Sequence, residues 1–107
     1  MVGSFGEMGN LLKQAQEMQR QLDRLRSELA GMRVEGTAGG GAVKVVVSGD
    51  RKVHGVAIAP EVAATGDASL LEDLVLTAVQ DGIAKAERLA EETLSRLTGG
   101  LQLPGLF

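Results

Sequence analysis

The chain has 107 residues, is 44% hydrophobic but only 2% aromatic, lacks cysteine and carries a net charge of −3 at pH 7. This excludes a disulfide framework and thiolate metal sites. A core of Val, Leu, Ile, Ala and Met buries little apolar area per residue, which favours oligomerisation of one small domain spanning 1–107. No segment has the basic start and apolar run of a secretory leader or approaches the ~20 apolar residues that cross a bilayer, so a soluble cytoplasmic protein is expected.

Residues 2–9, rich in Gly and Ser, are expected to fray. From Met8 the apolar residues Leu11, Ala15, Met18, Leu22, Leu25, Leu29 and Met32 follow in alternating steps of three and four. That heptad spacing lines one stripe of a helix, predicted over about 8–32 because no Gly or Pro falls between Gly9 and Gly31. Such a helix would be roughly 35–40 Å long, more than a domain of this size can cover, so part of it must project or meet another chain. The positions flanking the stripe include Glu7, Gln14, Gln21 and Glu28 on one side, and Leu12, Gln19, Arg26 and Arg33 on the other. Few of these would form the complementary pairs that fix a two-stranded coiled coil, and Ala15 and three Met pack adaptably. The seam is therefore expected to lie against the chain's own second helix and sheet.

Strands are predicted within 33–59. Arg33–Ala38 leads through a glycine-rich connection to Ala42–Ser48, and Gly49-Asp50 turns the chain into a third strand at Lys52–Ala59, stopped by Pro60. The result is a three-stranded antiparallel meander. Alternation puts Val43, Val45 and Val47 on one face, and sets His54, Val56 and Ile58 opposite Val53, Gly55, Ala57 and Ala59. Neither face is cleanly polar, so helices are expected on one and a second copy of the chain on the other. Asp67 or Ser69 then caps a second helix over about 68–98, with Glu72 and Asp73 in its first turn and an apolar face from Leu71 to Leu97. Gly99-Gly100 is expected to end it, leaving an apolar tail over 99–107 with a Pro-Gly turn.

This order of elements carries specific words: Gly9-Asn10-Leu11-Leu12-Lys13-Gln14-Ala15-Gln16-Glu17-Met18-Gln19, then Val43-Lys44-Val45 with Gly49 beyond, and Val56, Ile58 and Pro60. Leu71-Glu72-Asp73-Leu74-Val75 and the tail Gly99-Gly100-Leu101-Gln102-Leu103-Pro104-Gly105 complete the set. Together they resemble the YbaB/EbfC family of bacterial nucleoid-associated proteins over nearly the whole chain. The resemblance implies an α+β fold in which two copies pair through their sheets, with helices projecting as a tweezer-like homodimer. It also implies binding of double-stranded DNA with little sequence preference, in the nucleoid. It supplies no catalytic residues, and DNA-contact residues must come from charge placement.

The charges are unevenly spread. Residues 1–33 hold five bases against four acids, and residues 67–107 hold three bases against seven acids. On the first helix Lys13, Arg20 and Arg24 fall close to one line, nearly opposite the apolar seam, where a basic row could meet phosphates. The ordinary alternative is a solvated face in which Glu17 pairs with Lys13 and Arg20. Lys85, Arg88 and Arg96 of the second helix are interleaved with Glu87, Glu91 and Glu92. By charge alone they read as a solvated face, and the family's geometry adds them as DNA candidates. Arg51 and Lys52 read as exposed turn residues, and Lys44 as a strand-edge charge that discourages aggregation.

The glycines at 36–41 do not make a phosphate loop, because no Lys-Ser or Lys-Thr follows and the loop leads into a strand. They read as a flexible or bulged strand connection. His54, the only histidine, has no partner suggested by the sequence and reads as half-buried in a strand. Glu72-Asp73 face two directions, so they decorate the helix dipole rather than form an acid/base pair or metal site. The expectation is a non-enzymatic protein without cofactor, metal, membrane or small-molecule substrate. It would bind double-stranded DNA, alter its organisation and affect gene expression. The competing reading is a coiled-coil-like adaptor that docks a protein partner and has no direct role on DNA.

Overall fold

The computed structural model describes the backbone of residues 2–97 and the side chains of residues 6–97. The order is α1 (Val2–Gly31), β1 (Arg33–Ala38), β2 (Val43–Ser48), β3 (Val53–Ile58), a single turn α2 (Pro60–Ala63) and α3 (Ala68–Leu97). The strands form one antiparallel sheet in the order β1-β2-β3, so the predicted helix, meander and helix are all present. The first helix starts earlier than predicted, at Val2, and is not interrupted by the glycines at 3, 6 and 9. The predicted helix end at Gly99-Gly100 and the apolar tail lie outside the described residues.

The core is built from small residues. Val43, Val45 and Val47 leave one face of β2 and are fully buried against Ala78 and Ala86 of α3. Ala78, Gly82 and Ala86 are spaced four apart, so they form a narrow stripe that lets the helix backbone approach the sheet. The approach is closest at Gly36 of β1. A Cβ on Gly36 would stand 2.1 Å from the Ala78 carbonyl oxygen and 2.3 Å from the Gly82 nitrogen. Gly36 is thus a packed strand residue rather than part of a flexible connection. Gly39, Gly40 and Gly41 make the β1–β2 turn, with φ of 63°, 67° and 95°.

Register explains two further departures from the alternation argument. Val43 pairs with Ile58 and Val45 with Val56, but Val47 pairs with Val53, leaving His54 as the extra residue of a bulge. The bulge brings Val53 to the same face as Val56, and His54 is exposed rather than half-buried. Lys44 lies on the central strand, so it is not an edge charge; it projects from the face opposite α3. The α3 helix packs on β1 and β2, leaving Val56 of β3 49% exposed.

Among the described residues, only the second half of α1 is packed. Leu25 and Leu29 are buried against Ala90, with Met32, Leu89 and Leu94 around them. At the β2–β3 turn, Gly49 sits under the helix end, where a Cβ would meet the Leu29 carbonyl oxygen at 2.6 Å, and its amide donates to the Met32 carbonyl (3.1 Å). Arg33 closes the helix C-terminus, its guanidinium donating to the Ala30 carbonyl at 2.7 Å and the Met32 carbonyl at 3.0 Å. The seam therefore lies against α3 at Leu25 and Leu29, and the expected continuation fails from Met18 outward. The described part of α3 runs to Leu97, beside Gln21 and Leu25, and no described residue covers the seam beyond it. The first ~20 residues of α1, about 30 Å of helix, extend past that end. This lone segment together with α3, itself about 45 Å long, accounts for the 76 × 19 × 19 Å extent.

Candidate nucleic-acid interface

The α3 helix is anchored at its start by Asp67, whose Oδ1 accepts the Leu70 amide (3.0 Å) as an N-cap. It then crosses the sheet and carries Lys85, Arg88 and Arg96 outward. Lys85 is held close to the sheet: its Nζ lies 3.0 Å from Asp81 Oδ2 and donates to the Glu35 carbonyl at 2.9 Å. Asp81 also accepts the Thr37 amide (2.9 Å). That amide, followed by the Lys85 ammonium, holds the Asp81 carboxyl below the usual aspartate range. Lys85 is therefore part of the clamp joining α3 to β1. Arg88 is exposed and adds its positive charge near Asp81.

Farther out, α1 and α3 border an open cleft of about 420 Å³ lined by Gln21, Arg24, Leu25, Glu28 and Met32 from α1 and Thr93, Arg96 and Leu97 from α3. Arg24 and Arg96 thus share one cleft although they are 72 positions apart in sequence. Thr93 is buried; its hydroxyl donates to the Leu89 carbonyl (2.7 Å) and accepts from the Arg96 guanidinium (3.4 Å). Glu28 on the same wall offsets part of the positive charge. Beyond the cleft, Arg20 pairs with Glu17 at 2.8 Å, the pairing expected of a solvated face. Among the described residues Lys13 and Arg24 have no carboxylate within ion-pair distance.

The structure therefore divides the six basic candidates. Lys13, Arg20 and Arg24 run along the arm, Arg96 joins Arg24 at its base, and Lys85 and Arg88 stand apart, nearer the sheet. Sequence reasoning missed the shared cleft and its Gln21, Glu28 and Thr93. The signal was the seam itself: once Leu25 and Leu29 pack on Ala90 and Leu94, the register carries Arg24 to Arg96.

At the opposite corner, Arg51 occupies a left-handed conformation (φ 67°) in the β2–β3 turn. The turn is closed by the Arg51 amide donating to the Ser48 carbonyl and the Ser48 amide to the Lys52 carbonyl, both at 2.9 Å. The buried Ser48 hydroxyl donates to the Asp50 carboxylate, which, with Lys52 and His54 nearby, lowers the Asp50 pKa. Arg51 faces Glu87 and Glu91 across a small hollow, an acidic setting unsuited to phosphate. Among the described residues no group of three or more His, Cys, Asp or Glu is placed to hold a metal ion. No described helix is long and apolar enough to cross a membrane.

These features define a small α+β protein whose first helix leaves a three-stranded sheet and reaches past its neighbour as a charged arm. The profile of the YbaB/EbfC DNA-binding family matches residues 5–101. A nucleoid-associated protein of Chloroflexus aurantiacus is 50% identical over 97 residues, covering 91% of this chain and 95% of the relative. Another, from Acetivibrio thermocellus, is 44% identical over 106 residues, covering 98% and 94%. The chain belongs to the YbaB/EbfC DNA-binding family. Its fold is also that of an uncharacterized protein from Helicobacter pylori known from a crystal structure, with a TM-score of 0.71 at 20% identity, covering 89% of this chain and 97% of that one.

Proposed function

We propose that the protein acts in the nucleoid as a homodimer that binds double-stranded DNA through its phosphates, with little sequence preference, and so alters DNA organisation and gene expression. The observation that carries this reading is the arm. Lys13 and Arg20 lie on the side of a projecting helix opposite its apolar seam, and Arg24, at the base, borders the cleft with Arg96. Arg88 adds charge nearer the sheet, and Lys85 contributes an ammonium partly neutralised by Asp81. Lysine and arginine contacts to phosphates fix position without reading bases, and the 2% aromatic content leaves little to stack on unpaired bases. With a net charge of −3, attraction is local to these residues, and binding weakens steeply with salt.

The dimer is supported by apolar surface on one side of the molecule. Val53 and Val56 of β3 are exposed, and Leu71, Val75, Leu76 and Val79 of α3 line a shallow hollow with Ile58 beside them. A second copy would cover both this face and the free edge of β3.

A mobility shift with duplex DNA at several salt concentrations tests the function. The wild type should bind with log K falling by about 0.9 per phosphate neutralised. Changing Lys13, Arg20 and Arg24 together to Glu should weaken binding at least tenfold and flatten the salt slope. Equal behaviour of the two proteins would favour the adaptor reading, for which the exposed apolar seam of α1 is the supporting observation.

A further inference from the structure

The sheet has two outer strands, β1 and β3, and their edges differ. Along β1 the backbone groups of Val34, Gly36 and Ala38 turn toward β2, and those of Glu35 and Thr37 turn outward. An outer edge of this kind offers an unpaired donor and acceptor to any incoming strand. Here both are taken. Asp81 Oδ2 accepts the Thr37 amide at 2.9 Å, and the Lys85 ammonium donates to the Glu35 carbonyl at 2.9 Å. The two side chains stand one helical turn apart and pair with each other at 3.0 Å, so each holds the other in place. The bare contact of Gly36 with Ala78 and Gly82 brings α3 close enough for them to reach that edge. Among the described residues, no side chain makes an equivalent bond to the backbone of Val53–Ile58 in β3.

We propose that the Asp81–Lys85 pair closes the β1 edge against strand addition by a second copy of the chain. An incoming strand must displace two charge-assisted hydrogen bonds and an ion pair before it gains its own neutral bonds, which are weaker. Once opened, the edge suits a second β1. With a two-fold axis at Gly36, Glu35 of one copy would face Thr37 of the other, and no like charges would be opposed. The proposal depends neither on DNA binding nor on which surface carries the dimer.

Asp81→Ala/Lys85→Ala removes one charge of each sign, so the net charge stays at −3. In sedimentation this variant should form a species larger than the wild type's, growing with protein concentration. Its Thr37 amide should exchange at least about tenfold faster than the wild type's in dilute solution, and slow again as the larger species forms. Two further variants separate an open edge from lost stability. Asp81→Asn keeps an oxygen for the Thr37 amide and leaves Lys85 on the Glu35 carbonyl, and Leu29→Ala weakens the fold with the pair intact. Both should sediment as the wild type does. A folded double variant with wild-type sedimentation at every concentration would overturn the proposal, as would equal growth in either of these two. A Thr37 amide that stays fast in the larger species would also overturn it, because the second copy would then sit elsewhere. Lys85→Met, which frees only the Glu35 carbonyl, decides the matter if the double variant does not fold. It should also form larger species, and wild-type sedimentation would count against the proposal.

Discussion

At Gly36 and Gly82 two backbones touch with no side chain between them. The Cβ of an alanine at 36 would overlap the Ala78 carbonyl and the Gly82 backbone, neither of which can rotate away. Overpacking of this kind costs about 3 kcal/mol when the neighbours are rigid. Gly36→Ala should therefore lower Tm by roughly 15 °C in thermal unfolding followed by circular dichroism. Gly36 looks in the sequence like one more residue of a glycine-rich loop, and Gly82 like a weak point in a helix. Their shared role depends on a contact 46 positions apart, which no local pattern displays. A glycine inside an otherwise strong helical run was the usable hint, since it costs about 1 kcal/mol against alanine unless close approach requires it.

Asp81 ties the same region together electrostatically. Its folded pKa is depressed, chiefly by the Thr37 amide and then by Lys85, so its contribution to stability is complete well above the unfolded value of about 3.9. That contribution is lost as the pH falls below this value and through the lower folded pKa. Asp81→Asn should lower stability at pH 7 and narrow the difference between pH 7 and pH 2, as read by urea unfolding at the two pH values. An unchanged pH dependence would remove Asp81 from this role.

At the scale of elements, α1 consists of two halves with the same sequence pattern and different surroundings. Leu29 is 2% exposed and Leu11 is 64% exposed, yet both occupy the heptad seam. Leu29→Ala should cost about 2–4 kcal/mol in denaturant unfolding, whereas Leu11→Ala should cost under about 0.5 kcal/mol. Periodicity made the helix and its apolar side readable from the sequence. Where cover ends is a matter of how α1 lies against α3, which periodicity does not encode. The bulge at His54 shows the same limit in the sheet: one extra residue reversed the side predicted for Val53.

For the whole molecule, the exposed apolar surface of β3 and the first half of α3 sets the expected assembly. Leu76, 56% exposed, lies in that surface and outside the buried core. Leu76→Glu should leave the secondary structure intact and convert the sedimenting species from dimer to monomer in analytical ultracentrifugation. It should also lower duplex affinity, because one arm then replaces two. A dimer that persists in this variant would place the second copy elsewhere.

The glycine contact has a mechanical consequence at this largest scale. The α3 helix crosses β1 at a bare backbone contact, with no rotamers available there to absorb a change of angle. Gly82 lies 15 residues from Leu97, a lever of about 22 Å, over which a tilt of 5° would displace the described end by about 2 Å. Because the base of α1 is fastened to α3 at Ala90 and Leu94, such a tilt would carry the projecting arm with it, and two missing side chains set the arm's angle to the sheet.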